Sequence, residues 1–326
     1  MKLPHRRRFL HLAAGAAALP AVSRFAWAQA YPTRPVRIIV GFAAGGPTDV
    51  TARVIGQWLS ERLGQPFVVE NRPGAGSNLA TEAVVRAPAD GYTLLAGGFP
   101  NAINATLYDK LNFNFIRDIA AVASVSREPL VFVVHPSVPA STVAELIAYA
   151  KARSDQLSYG SGGIGAPSHL AGELFKTMTG INMIHVPYRG AAPGIAALLG
   201  GQVQVYFAST VTSLEHVRAG KLRALAVTTM SRLEALPGVP TVADFVPGFE
   251  VSGWQGLFAP KSTPTEVINK LNSEINAGLA DTKIKARLAD LVSIALAGSP
   301  ADFGKLIAEE TEKWAKVIRA AGIKPE

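Results

Sequence analysis

The residues best able to do chemistry in this chain are glycines. The stretch LSYGSGGIGAPSHLAGELF, residues 157–175, sets Gly160, Gly162 and Gly165 in a G-x-G-x-x-G pattern between a short apolar run and a helical pattern. Such a loop exposes unpaired backbone N–H groups at the positive end of a helix dipole, and its bare backbone lets a ligand come close. Ser161, Ser168 and the neighbouring Gly163 and Ala166 belong to the same loop. A dinucleotide site would need an acidic residue about twenty positions further on. Ile184-His185-Val186-Pro187 stands there instead. A P-loop would need G-x-x-x-x-G-K-[ST], which does not occur. What remains is a cradle for a simpler anion. GFAAGGPTD repeats the device, with Gly45 and Gly46 ahead of Thr48, Asp49 and a helix. Gly74-Ala75-Gly76-Ser77 before Asn78 is a third copy, for which a tight turn is the simpler reading. Two such loops facing across a cleft would hold one small anion from both sides. Four or five hydrogen bonds to a charged group, at ~1.5–3 kcal/mol each, suffice for a micromolar complex after association costs. Asp49 is read first as a dipole complement in the opening helical turn, and second as a group that orients loop amides.

Catalytic constellations are sparse. The 326 residues contain no Cys, which excludes disulfides and thiolate chemistry. His135, His169, His185 and His216 show no metal-ligand spacing. Ser161 lies between two glycines, but a nucleophile elbow would need Gly where Tyr159 stands. His169 is read as a packing residue rather than a base. No catalytic residue, metal or cofactor is therefore expected.

The elements that must position these loops alternate in α/β fashion. Strand patterns fall at Val36–Val40, Phe67–Val69, Thr93–Ala96, Leu130–Val134, Leu157–Tyr159, Met183–Val186, Val203–Phe207, Leu222–Val227 and Val251–Phe258. Helical patterns fall at Asp49–Leu63 (stripe Val50, Val54, Ile55, Trp58, Leu59) and at Asn78–Arg86. Thr142 and Glu145 form a capping box for a helix through Ala152. The helix after the second loop has Leu170, Leu174 and Met178 on one face and stops at Gly180. Ala191–Leu199, Thr265–Ala280 and Pro300–Ala320 are also helical. The pattern predicts two similar lobes, 29–128 plus 252–326 and 129–251. The chain crosses between them at SREPLVFVV and at GFEVSGWQGLF, a hinge of two segments.

Residues 1–28 read as an export signal: Arg6, Arg7 and Arg8, then an Ala-rich apolar run, then Ala26-Trp27-Ala28. Arg6 to Leu10 resembles a twin-arginine motif, with an ordinary secretory signal as the alternative. This segment holds five basic side chains and no acid, so its removal lowers the net charge from +8 to +3 and weakens any nucleic-acid reading. No later stretch is apolar enough to span a membrane, so a periplasmic, non-embedded monomer is expected.

GFAAGGPTD, NRPGAGSNLATEAVVRAPADGYTLL, YGSGGIGAPSHLAGELF, HVPYRGAAPGIAALLGGQV, AGKLRALAVTT and LPGVPTVADFVPGFEVSGWQGLFAP occur in this order. Together they resemble the Bug family, the extracytoplasmic solute-binding receptors of tripartite tricarboxylate transporters. The resemblance covers nearly all of the chain beyond the signal. It implies a two-lobed α/β periplasmic binding fold (a Venus flytrap, type II-like) and a small carboxylate ligand delivered to membrane transporter subunits. It places the ligand near Phe42, Ala43, Gly45, Gly46 and Asp49. From the second lobe it adds Ser161, Gly163, Ala166, Ser168, His169, Tyr188, Arg189, Gly190 and Ala191. Gly98-Phe99-Pro100-Asn101 is a further specificity surface, with a core role as the alternative for Phe99, and Gly76, Ser77 and Asn78 of the third glycine turn are also expected at the ligand. Two departures stand out. Gly41 replaces the Pro that usually precedes Phe42, which implies a looser loop entry. Ala208 replaces an Asp able to meet a ligand ammonium, which implies a di-, tri- or aromatic carboxylic acid without an amine, with Ser209 left as a donor. The competing classes are an exported cofactor-dependent enzyme or a hydrolase using the 160–169 loop, and a ligand sensor for a signalling partner.

Overall fold

The computed structural model describes residues 31–108, 110–153, 157–291 and 293–325. The expected export signal lies outside the described residues. Its first strand, Val36–Val40 (β1), is buried throughout except at Arg37. Parallel strands flank it on both sides, Phe67–Asn71 (β2) and Thr93–Gly98 (β3). Parallel pairing requires crossovers, and Pro47–Leu63 (α1) and Asn78–Val85 (α2) supply them. The buried side of α1 is Thr51, Ala52, Ile55, Gly56 and Leu59, which keeps Ile55 and Leu59 of the predicted stripe and leaves Val50, Val54 and Trp58 half-buried. Small residues win the sheet-facing side because the helix lies close to it: a Cβ at Gly56 would sit 3.3 Å from the Phe67 carbonyl oxygen. Trp58 instead reaches sideways, its Nε1–H donating to the Glu274 carbonyl.

Beyond β3 the sheet continues through Ser252–Pro260 (β9) to Ile119–Val134 (β4). The sequence marks only the second part of β4 because Ala and Ser dominate the first, and these have little intrinsic strand preference. Pairing with β9 holds that first part extended, from Ile119 opposite Pro260 to Pro129 opposite Ser252. From Leu130 onward β4 pairs with Val205–Ser209 (β7) and Arg223–Val227 (β8). Ser158–Ser161 (β5) joins β7 in parallel to Ile184–Pro187 (β6). One strand thus runs through both halves of the protein, and the two predicted crossings are neighbours bonded to each other: Ser126 faces Gln255, Arg127 faces Trp254, and Glu128 faces Gly253.

Three helices the pattern did not predict precede or follow these strands: Phe99–Leu107 (α3), Phe115–Asp118 (α4) and, near the C-terminus, Thr282–Asp290. The second half carries Val143–Ala152 (α5), Pro167–Thr179 (α6), Ala191–Leu199 (α7) and Thr210–Arg218 (α8). Only half of the expected capping box forms on α5. Thr142 Oγ1 accepts from the Glu145 amide, while the Glu145 carboxylate takes the amide of Ser141 instead of that of Thr142. On α6 the buried side is Leu170, Ala171 and Phe175, and Met178 is exposed. Thr265–Ala280 (α9), Thr282–Asp290 (α10), the short strand Ile294–Ala295 (β10) and Pro300–Ala320 (α11) close the chain. Each half has its own aromatic packing, within one continuous buried core. Phe132 stacks on Phe207 at 4.1 Å in one, while in the other Phe99 meets Trp314 and Trp254 meets Phe303 edge-on.

Candidate functional site

The first glycine loop leaves β1 at Gly41 and enters α1 at Pro47. A side chain at Gly41 would place its Cβ 1.9 Å from Ser77 Oγ, so the third glycine turn lies directly behind the first loop. Ser77 is fully buried at φ 79, in the left-handed region that non-glycine residues avoid. Asn101 Nδ2 donates to its Oγ and Thr81 Oγ1 to its carbonyl, which hold it there. Gly41 is therefore required by close packing, and the loop entry is tightly held, not loosened.

Asp49 organises this loop. It is 2% exposed and accepts from the Gly45 amide at 2.9 Å, from Asn71 Nδ2 at 2.9 Å and from both ends of the Arg53 guanidinium. Asn71 Nδ2 also donates to the Phe42 carbonyl. The Arg53 hydrogen bond, helped by those of Gly45 and Asn71, holds the Asp49 carboxyl down at about 2 against the cost of burial. Asp49 thus fixes the loop from behind. Pro47 opens α1 without an N–H of its own, and the amides that follow it have no preceding turn to bond.

The second loop is braced without charge. Ser161 is fully buried, with Oγ 2.7 Å from His185 Nε2 and accepting from the Gly163 amide at 3.2 Å. Ser168 Oγ accepts from the Gly162 amide at 3.0 Å, and His169 Nδ1 accepts from the Gly165 amide at 3.1 Å. His169 and His185 stack at 3.9 Å, and Tyr159 continues the stack at 4.8 Å from His185. Burial pushes His169 down to about 3 and His185 down to about 4, so both imidazoles are neutral at physiological pH. The loop carbonyls hold the next segment, Ser161 accepting from the Tyr188 amide and Gly162 from the Gly190 amide. There is no room for a side chain at Gly165, whose Cβ would lie 2.8 Å from Leu107 of α3. The second loop therefore rests against the first half of the protein.

Three cavities lie along this junction. A front cavity of about 360 Å³ is lined by Phe42, Ala43, Gly46, Pro47 and Thr48 of the first loop, by Phe99 and Pro100, by Pro167 opening α6, and by Glu128, Gly253, Trp254 and Gln255 of the crossing strands. A side cavity of about 250 Å³ shares Pro47 and Glu128 with it and adds Gly45, Ser209 and Thr210–Thr212. A wider one of about 620 Å³ brings together Gly76, Tyr108, Gly162, Gly163, Tyr188, Arg189 and Gly190. The structure thus gathers Phe42, Ala43, Gly46 and Phe99 at one cavity, Gly45 and Ser209 at the second, and Gly76, Gly163, Tyr188, Arg189 and Gly190 at the third.

The remaining expected residues stand behind these walls. Asp49, Ser77, Asn101, Ser161, Ser168 and His169 spend their side-chain groups inside the protein, as described. Asn78 accepts from Asn104, and its own Nδ2 is buried without a partner among the described residues. Ala166 is the residue before α6 and Ala191 the first of α7. Ala208 is fully buried among Val131, Val133 and Leu214, so its side chain faces the core of the second half. Sequence reasoning missed Thr48, Pro167, Glu128, Trp254 and Gln255. All five lie within quoted motifs or crossings, and Glu128 is the one acid of the crossing SREPLVFVV. Among the described residues no three His, Asp or Glu side chains converge as a metal site requires. No described helix is long and apolar enough to cross a membrane.

An α/β protein with paired glycine loops at the ends of parallel strands and two adjacent crossing strands is a periplasmic binding fold with two lobes. The model of the tripartite tricarboxylate transporter family receptor matches residues 51–323, and the chain belongs to that family. BugT of Bordetella pertussis is 37% identical over 300 residues, covering 91% of this chain and 92% of that one. Among solved structures, Rpa4515 of R. palustris with adipate is 38% identical with a TM-score of 0.80, covering 91% of this chain and 100% of that one. MatC from Rhodopseudomonas palustris with bound malate is 32% identical with a TM-score of 0.76, covering 88% and 100%.

Proposed function

We propose that this protein is a periplasmic receptor that captures a small di-, tri- or aromatic carboxylate and presents it to the membrane subunits of a tripartite tricarboxylate-type transporter. The front cavity carries this reading. It is walled by the first glycine loop and the start of α1 on one side and by Pro167 at the start of α6 on the other, and no Lys or Arg lines it. Helix starts attract an anion without a cationic side chain. The relatives with adipate and malate support a carboxylate as that anion. On this reading the lobes are 31–128 with 252–325, and 129–251, and the ligand closes them about the β4–β9 ribbon. The protein acts as a monomer and turns nothing over. The pair Ser161–His185 has the spacing of a nucleophile and base, but burial of Ser161 denies it a substrate and weighs against a hydrolase.

Calorimetry at pH 6 against adipate, malate, citrate and benzoate is expected to give one-to-one binding of at least one acid, with NMR of the mixture showing no product. Consumption of any of these acids, or binding of none, overturns the proposal.

A further inference from the structure

Glu128 is an acid in the wrong place for an anion receptor. It lies on the crossing strand β4, lines both the front and the side cavity, and is only partly buried. Gln255 Nε2 donates to its Oε1 and is the only hydrogen-bond donor reaching the carboxyl among the described residues. Oε2 is left open to the cavity, beside Gly253, whose missing side chain gives it room: a Cβ there would lie 3.2 Å from Oε2. Gln255 turns the rest of its amide to no partner at all, its Oε1 being buried and unsatisfied.

Among the described residues no cation is hydrogen-bonded to the Glu128 carboxyl, and Lys313 of α11 is turned to the Glu250 carbonyl. On β4 the adjacent Arg127 is paired to Glu250 at 2.7 Å. On β9 the neighbours are Gly253, Trp254 and Gln255, all uncharged. From α1 the nearest charges are Asp49 and Arg53, paired with each other. From α8 the cavity wall is Thr210, Val211 and Thr212, and Glu215, His216 and Arg218 follow further along that helix. From the α10 end come Leu291 and Ser293, and the charged pair Arg287–Asp290 is exposed.

Resting on the receptor reading above, we infer that Glu128 is a specificity residue that carries a proton in the ligand-bound receptor and donates its O–H to a carboxylate oxygen of the ligand. A bare Glu128 carboxylate would face the ligand's own across one cavity, and two like charges at such range cannot both stay ionised cheaply. Protonation turns the repulsion into a short O–H to carboxylate hydrogen bond. Burial already raises the Glu128 carboxyl to about 7 without any ligand present. The proton comes from solvent, so capture of one ligand carboxylate takes up one proton. The same group discriminates by charge: a neutral acid welcomes a carboxylate, whereas an ionised one would pair with an ammonium.

The test uses the full mature chain with adipate, malate and aspartate as probes. Titrations from pH 5.5 to 8.5, in buffers of different ionisation enthalpy, are expected to show uptake of about one proton per carboxylate bound at pH 8. Affinity is expected to fall roughly fifteen-fold between pH 7 and pH 8.5, the slope approaching tenfold per unit only above about pH 8. The carboxyls of the acids themselves stay ionised from pH 7 upward. Glu128→Gln can accept from Gln255 and still donate to the ligand, so its affinity profile is expected to be flat with no proton uptake. The buffer series on the unsubstituted protein stands even where the variant folds poorly. Carboxylate binding with no proton uptake, or an unchanged pH profile in Glu128→Gln, overturns the assignment and leaves the receptor reading intact. Tight binding of aspartate that Glu128→Gln abolishes would show an ionised Glu128 and overturn it too. Failure of every acid to bind at pH 5.5 removes the receptor reading and this assignment together.

Discussion

The two glycine loops do the same structural job with opposite chemistry. The first is tied from behind by a carboxylate: Asp49 collects the Gly45 amide, Asn71 and the half-exposed Arg53. The second is tied by a neutral stack, in which Ser168 and His169 accept loop amides and His185 backs them. A charged brace tolerates water and acts through a few strong hydrogen bonds. A neutral one must stay dry, because burial of imidazole is affordable only while it is uncharged. The difference teaches that equivalent glycine loops can rest on unequal supports, and that the two should fail under different conditions.

The comparison breaks most visibly at Asp49. Asp49→Ala strips the Gly45 amide and Asn71 of their acceptor, and is expected to cost about 2 kcal/mol in urea unfolding and at least tenfold in carboxylate affinity. Asp49→Asn should recover part of both. Should the alanine variant bind as well as the unsubstituted protein, the carboxylate brace is not what shapes the first loop.

The next effect is one of pH. An imidazole pushed down in the folded state lets the unfolded chain take protons first, so its support is complete above about 6.5 and is lost as pH falls toward about 4 for His185 and 3 for His169. Asp49, held at about 2, keeps its support down to its ordinary value of 3.8 and loses it only below that. Glu128 acts in the other direction between its ordinary 4.5 and about 7, so the useful quantity is a difference between variants. His169→Gln keeps an acceptor for the Gly165 amide and removes one titrating ring. Relative to the unsubstituted protein it is expected to gain about 2 kcal/mol between pH 6.5 and pH 4.5, measured by urea unfolding at several pH values. A difference that stays constant with pH would mean the stack is not held neutral. The smallest effect is expected from Arg53→Gln. Its side chain is 52% exposed, and an ion pair so placed is worth under about 1 kcal/mol. A loss as large as that of Asp49→Ala would make the pair, and not the carboxylate alone, the brace.

Much of the fold was legible because the signals were local. Ala191–Leu199, Thr265–Ala280 and Pro300–Ala320 have their expected ends, with Gly190 and Gly200 bounding the first, Pro264 and Pro300 opening the other two, and a clear helical period within each. α3 escaped because Gly98-Phe99-Pro100 reads as a turn, whereas β3 passes straight into a helix whose Asn101 side chain accepts the Gly98 amide. The first part of β4 escaped because only tertiary pairing makes an Ala/Ser run extended. At the site, the glycines were legible as a pattern, but which polar groups face inward was not. Asn101, Ser161 and Ser168 are donors in the right motifs whose hydrogen bonds are already used within the protein. Ala208 shows the same limit: its neighbour in sequence, Ser209, lines a cavity, and it does not. Glu128 was visible but unremarkable until β9 was placed beside it.

The side-by-side run of β4 and β9 bears on how such a receptor moves. Two laddered strands have no free swivel, so any relative motion of what they join would have to be taken up as twist along residues 126–129 and 252–255. The register shift between Ser124 and Ser126 marks where the ribbon already yields. Because Glu128 and Gln255 grip each other across that ribbon, whatever binds beside them also feels the torsion of the joint.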